Sequence, residues 1–227
     1  MTALDPGAVE ARLAALRERL DAAGGQRPVE LVAVTKGFGA DVVELALALG
    51  LRSVGENYAQ ELLAKHAELG PTPAGGPPRW HFLGRLQRNK VRQLAPVVAV
   101  WESVDRPALA DEIARRAPGA TVLVQANLSG EPQKGGVPLE EVPDLVARCR
   151  ADGLDVVGLM GVGPTGPPER ARSGFRALVA LADELGLPVR SIGMSADLEV
   201  AVEEGATEVR VGRALFGERP ARGVPPG

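Results

Sequence analysis

TVLVQAN, residues 121–127, is a short apolar, β-branched run that closes on Gln125, Ala126 and Asn127. A run of this length and composition suits a strand buried on both faces. Reading outward, residues 139–151 form a helical stretch, 154–159 a strand, 170–185 a helix and 189–192 a strand. A helix over 197–204 then leads to a last strand at 207–211. Toward the N-terminus the pattern is the same. Helix 107–116 follows strand 97–101, helix 86–94 follows strand 80–83, and helix 57–69 follows strand 52–54. The first unit is the run LVAVT at 31–35 with a helix over 41–49. An amphipathic helix over 8–22 precedes it, with apolar residues at spacings of three and four.

Strands that alternate with helices form a parallel sheet. A doubly wound sheet and an eight-fold barrel both fit, and the count of eight strands favours the (β/α)8 TIM barrel. One domain spanning 1–227 is expected, because no second hydrophobic unit stands out. The stretch PTPAGGPPR at 71–79 reads as an exposed loop, and residues 218–227 as a flexible tail.

Composition narrows the function. Lys and Arg number 26 and Asp and Glu 29, which gives no support to nucleic-acid binding. The basic stretch Arg85, Arg88, Lys90 and Arg92 reads as a solvated helix face. One cysteine, Cys149, excludes an intrachain disulfide framework and any multi-cysteine metal site. Two histidines, His66 and His81, cannot make a three-histidine zinc site. The opening residues lack the segments of a secretory signal, and no apolar run reaches membrane-spanning length. A cytoplasmic protein without membrane contact is the expectation.

In a barrel, functional residues lie just after the strands, at the C-terminal face. Lys36 follows LVAVT directly, Glu56 and Asn57 follow the second strand, and His81 sits near the end of the third. Asn127 ends the fifth strand and Met160 the sixth, while Ser191, Gly193, Met194 and Ser195 surround the end of the seventh. Lys36 is the most informative. Burial at a strand end lowers a lysine pKa, and a neutral amine forms Schiff bases with carbonyls. The bland alternative is a lysine that snorkels outward or pairs with an acid. The segments SIGMSAD (191–197) and RVGRALFG (210–217) have the small residues and helix starts that cradle a phosphate. Plain turn chemistry with Asp197 as a cap is the alternative. No GxGxxG follows the first strand, which disfavours a nicotinamide cofactor. A lysine facing a phosphate cradle suggests a phosphorylated aldehyde, either a sugar or a cofactor.

These motifs, taken in order, resemble the pyridoxal 5'-phosphate (PLP) homeostasis family, also called the proline synthetase co-transcribed family. The marks are LVAVTK at 31–36, VGENYAQE at 54–61, WHFLGRLQRNK at 80–90, KGG at 134–136, GLM at 158–160, SIGMSADLEVAV at 191–202 and VRVGRALFG at 209–217. The family resembles the barrel domain of alanine racemase, a fold type III PLP protein, without its second domain. The resemblance implies PLP held as a Schiff base on Lys36. It implies phosphate contacts from Ser191–Ser195 and from Gly212 and Arg213, and places Asn57 near the ring face or hydroxyl. Arg210 would approach the pyridine nitrogen or shape the phosphate site. His81 and Met194 complete the candidate cofactor-binding set. Two departures stand out. Many relatives carry Ser before the lysine and Thr-x-Pro after it, where this chain has Thr35 and Gly37–Phe38–Gly39; Arg85 is the other.

The resemblance implies a protein that binds, buffers and supplies PLP, with effects on amino- and keto-acid balance and no robust turnover. PLP-dependent apo-enzymes would receive the cofactor, and an isolated barrel suits a monomer. A PLP-dependent racemase using Lys36 as one base is the alternative, with Tyr58 as the sole tyrosine able to face it. A Schiff-base aldolase acting on a sugar phosphate is a further class.

Overall fold

β1 (Glu30–Val34) opens a parallel barrel and β8 (Glu208–Val211) closes it, with Glu30 opposite Glu208 and Ala33 opposite Val211. Between them lie β2 (Ser53–Glu56), β3 (Arg79–Phe82), β4 (Val98–Val104), β5 (Thr121–Ala126), β6 (Asp155–Gly161) and β7 (Val189–Ser191). Each strand pairs with the next in sequence order. The structure, a computed structural model, describes residues 4–24, 28–70 and 76–219.

The helices follow the strands in turn: α2 (Ala40–Ala48), α3 (Ala59–Leu69), α4 (Arg88–Leu94), α5 (Pro107–Arg116), α6 (Val142–Ala151), α7 (Arg172–Glu184), α8 (Leu198–Glu203) and α9 (Arg213–Phe216). The extra helix α1 (Pro6–Gly24) buries Val9, Leu13, Leu16 and Leu20, one stripe at spacings of four and three. It packs on α8 and α9. Local chemistry fits these assignments. α5 starts with Pro at its first turn and ends on Arg115 and Arg116, which suit the dipole. In α7, Phe175, Leu178 and Ala182 form the buried stripe.

Strand side chains alternate between two environments. Leu31, Ala33, Trp80, Phe82, Trp101, Val122 and Val209 join the large core between sheet and helices. Trp80 therefore belongs to the outer core. A second, small apolar cluster of Val100, Leu123 and Met160 is separate from that core.

Several boundaries differ from the sequence reading. β4 continues to Val104, three residues past the expected end, and carries Glu102 as a buried residue. α3 begins at Ala59, so Asn57 and Tyr58 stay outside it, Asn57 in a bend and Tyr58 in extended backbone. The stretches over 139–141 and 168–171 are 3-10 turns that precede their α-helices. The helix start expected in RVGRALFG is the short α9. Part of the proposed loop (71–75) and most of the proposed tail (220–227) lie outside the described residues. No described helix is long and apolar enough to cross a membrane.

Candidate functional site

The strand ends of the barrel open into a cavity of about 410 Å³. That is within the range of small-molecule sites, about 300–1,000 Å³. Seven of the nine candidate residues line it: Lys36, Asn57, Met194, Ser195, Arg210, Gly212 and Arg213. Met160 lines it too, together with Arg85, Gln125, Lys134 and Arg219.

Lys36 is half-buried, and its amine makes no hydrogen bond or ion pair with a described residue. Burial, then the positive charge of Arg219, pushes its pKa below the ordinary lysine value, against the opposing pull of Glu56. The other cavity lysine is committed. Lys134 Nζ lies 2.7 Å from Glu131 Oε1 and donates to Gly163 O at 2.8 Å.

The backbone around Lys36 is clamped from behind the barrel wall. Lys65 of α3 donates to the Thr35 carbonyl at 2.7 Å and pairs with Glu56. Thr35 Oγ1 donates to Glu56 Oε1 at 2.7 Å, and the Gly37 N–H donates to Glu61 Oε2 at 2.8 Å. Both neighbours of Lys36 are thus fixed by side chains from the VGENYAQE segment and α3. Glu56 points toward Lys65 and is fully buried, which corrects its reading as a rim residue. Burial raises its pKa, with Lys65 acting against that shift.

His81 and Ser191 do not line the cavity. They lie a layer deeper, in a buried polar network. His81 Nδ1 lies 2.6 Å from Glu102 Oε1, and Ser191 Oγ donates to Glu102 Oε2 at 2.7 Å. Arg210 joins the layers: it donates to Ser191 O and Oγ and, at 2.7 Å, to Gly161 O, while also lining the cavity floor. Burial works to raise the Glu102 pKa, but the His81 bond and charge, with Arg210 and Ser191, hold it below the usual carboxylate value. Glu208 is the opposite case: burial and then the Glu102 charge raise it well above that value.

The two small-residue turns face the cavity. Gly193 has φ +93°, and a Cβ there would lie 2.5 Å from Ala201 Cβ, so α8 packs against a position that needs glycine. Asp197 is the N-cap residue of α8 but makes no side-chain cap bond; its carboxylate accepts the Met194 N–H at 2.7 Å and shapes the turn. Ser195 Oγ accepts the Ala214 N–H at 3.3 Å, which ties the turn after β7 to α9. The KGG segment is explained by Gly136, whose φ of +92° and close approach to the Ala126–Asn127 backbone admit no side chain. Asn127 caps its own turn, accepting the Ser129 and Gly130 N–H groups at 3.1 and 2.9 Å.

The sequence reading missed Gln125, Lys134 and Arg219 as lining residues. Gln125 closes the strand that opened the reading, and KGG carried Lys134, but Arg219 fell in the proposed flexible tail. Arg85, Arg88 and Arg92 are exposed as expected, and Arg85 also reaches the cavity edge. Tyr58 is about half exposed and lines a neighbouring cleft with Gln60 and Lys90. Cys149 is buried in α6, and burial pushes its thiol up to about 12, as suits a structural residue.

Residues 4–220 match the family described as alanine racemase, N-terminal domain. A pyridoxal phosphate homeostasis protein of Aquifex aeolicus is 40% identical over 225 residues, covering 92% of this chain and 97% of that protein. The chain belongs to the pyridoxal phosphate homeostasis protein family. Among solved structures of the family, PipY of Synechococcus elongatus without PLP aligns with a TM-score of 0.82 and 34% identity. That alignment covers 92% of this chain and all of PipY. PipY with PLP bound aligns with a TM-score of 0.77 over the same shares, also at 34% identity. The barrel is therefore the fold type III barrel of alanine racemase, here with an extra N-terminal helix.

Proposed function

We propose that this chain binds PLP through Lys36 and acts as a reversible carrier that buffers PLP and supplies it to apo-enzymes. The observation that carries this reading is the Lys36 amine, unpaired among the described residues, in a cavity that Arg210, Arg213 and Arg219 also line. Among the described residues Lys36 is the cavity lysine without a hydrogen-bond or ion-pair partner, while Lys134 is held by Glu131 and Gly163. Arg210, Arg213, Arg219 and the Ser195 turn stand around the same space. A reactive aldehyde and a phosphate on one small molecule match these two kinds of wall.

When bound, PLP supplies an aldehyde that an amine holds reversibly and a ring that withdraws electrons. The residues divide the binding. Lys36 would hold the aldehyde carbon, and its lowered pKa keeps more of the amine neutral. Ser195, Gly212, Arg213 and Arg219 would hold the phosphate. Asn57 and Met194 would contact the ring. Arg210, fixed by Ser191 and Gly161, would bring a permanent positive charge to the site. His81 and Ser191 contribute by holding Glu102, and through Ser191 the position of Arg210. Racemisation would need a second base facing Lys36. Tyr58 lines the neighbouring cleft instead, so no observation favours that alternative.

The test is an absorbance spectrum of the purified chain before and after borohydride, followed by peptide mapping. The expected result is one reducible adduct on Lys36, lost in Lys36→Ala with unchanged circular dichroism. An adduct on Lys134 at full stoichiometry, or one that persists in Lys36→Ala, would overturn the reading.

A further inference from the structure

We propose that the face around the cavity mouth docks an acidic, partly apolar segment of a partner protein, the apo-enzyme that takes up the cofactor. The partner's role rests on the carrier reading above; the surface rests on its own observations.

A second cleft, of about 210 Å³, adjoins the cavity, and Asn57 and Arg85 line both. Its volume is below the usual range of small-molecule sites, about 300–1,000 Å³, and suits a partner's side chain better than a whole ligand. Tyr58, Gln60, Gln87 and Lys90 belong to the cleft alone. Among the described residues, no Asp or Glu lines either space. The side chains of Arg85, Lys90, Arg213 and Arg219 make no hydrogen bond or ion pair with a described residue. Other surface arginines are spent on carboxylates: Arg148 on Asp111 and Asp152, and Arg172 on Glu169, Glu203 and Glu204. In a chain with 26 basic and 29 acidic residues, a mouth of unopposed cations is a local feature that steers an anionic partner.

The apolar surface gathers at the same place. Among the described residues the exposed large apolar side chains are Tyr58, 49% exposed, and Met194, 38% exposed. Met194 lines the cavity and Tyr58 the cleft. Tyr, Met and Arg are the residue types enriched where proteins meet. Phosphate capture accounts for Arg213 and Arg219, but not for Lys90 and Tyr58, which stand outside the cavity. A nucleic acid is the competing polyanion. The excess of acidic residues over the whole chain disfavours it, because a phosphodiester chain running beyond the patch meets like charge.

The experiment uses the full chain freed of PLP. The probe is a fluorescein-labelled peptide of alternating Glu and Leu, compared with its Gln–Leu counterpart and with oligodeoxythymidylate, by anisotropy at low and physiological salt. The Glu–Leu peptide should bind best and weaken with salt. The double variant Arg85→Glu, Lys90→Glu should weaken it about tenfold or more. Tyr58→Ser, which changes no charge, should weaken it about fivefold. Arg17→Glu is the control: Arg17 is exposed and lines a pocket with Leu31 and Leu51 at the strand starts, so binding should stay within about twofold. Saturating peptide should also slow adduct formation by pyridoxal on Lys36. If pyridoxal forms no adduct without peptide, the carrier reading fails, while anisotropy still decides the surface. Tighter binding of the oligonucleotide would assign the face to nucleic acid and overturn the proposal. So would a dimer in sedimentation that Lys90→Glu dissolves, which would assign the face to a second copy of the chain. Equal losses in Arg17→Glu and the double variant, an unchanged pyridoxal rate under saturating peptide, or no peptide binding would overturn it as well.

Discussion

On the inner side of the barrel wall, at the end of β1, Lys36 stands half-buried with no hydrogen-bond or ion-pair partner among the described residues. On the outer side, between the same strand and α3, Lys65 is 4% exposed and bound to Glu56 and the Thr35 carbonyl. The two amines are separated by one residue of wall, yet their chemistry differs. Pairing makes Lys65 a fixed charge that organises backbone. Desolvation beside Arg219, with no hydrogen-bond or ion-pair partner among the described residues, leaves Lys36 with a lowered pKa and so a larger neutral fraction. The presence or absence of a bound carboxylate thus separates a structural lysine from a reactive one, and the first holds the second in place.

The largest way to break this comparison is to unpair the outer side. Lys65→Met leaves Glu56 buried without its cation, and removing one partner of a buried pair costs about 3–5 kcal/mol. Urea unfolding should show that loss. The double variant Lys65→Met, Glu56→Gln should recover much of it, because a neutral amide keeps the Thr35 hydroxyl bond without a stranded charge. A Lys65→Met loss below about 1 kcal/mol would mean that the pair contributes little more than a surface ion pair does.

A smaller effect is expected on the inner side. Ser195→Ala should weaken PLP binding by about 1–3 kcal/mol, the range for a buried polar group left without its bond. It should leave the affinity for pyridoxal, which has no phosphate, nearly unchanged. Absorbance titrations of both ligands would measure this. Equal losses for the two would move Ser195 from the phosphate to the ring.

These two sides were not equally legible in the sequence. Lys36 could be read because it follows a buried apolar strand directly, and in a parallel barrel that position is the functional rim. The turns after β7 and β8 showed themselves by small residues. Lys65 could not be read: a lysine in an amphipathic helix ordinarily faces water, and its burial depends on Glu56 arriving from β2. His81 and Ser191 looked like rim residues because each is near a strand end. Their depth depends on the stagger between strands, and Leu83 and Gly84 carry the chain past His81 to the cavity. Glu102 was hidden by a strand that runs longer than its apolar stretch, since barrel interiors are usually filled by branched apolar side chains. Arg219 follows the Gly and Pro logic of a loose tail, and only the fold brings it against Gly37.

The smallest predicted effect sharpens the comparison by altering the inner electrostatics alone. Burial is the largest cause of the lowered Lys36 pKa, and the Arg219 charge is next. Below that pKa the amine is protonated and cannot attack a carbonyl. As the pH rises through it the neutral form accumulates, so the rate of adduct formation should rise with a midpoint below the ordinary lysine value of 10.5. The same shift has a stability sign. The unfolded chain holds the Lys36 proton over the window between the lowered folded pKa and the ordinary one, so stability contributed by this group increases with pH across that window. Arg219→Gln removes a like charge and makes the ammonium form less unfavourable, so the midpoint should move up. It should stay below the ordinary value, because burial is unchanged. Pyridoxal is the right probe, since it carries no phosphate for Arg219 to touch, and the initial rate of absorbance change against pH is the measurement. A midpoint that stays in place or falls in Arg219→Gln would show that Arg219 does not tune the amine, leaving burial as the main cause of its lowered pKa.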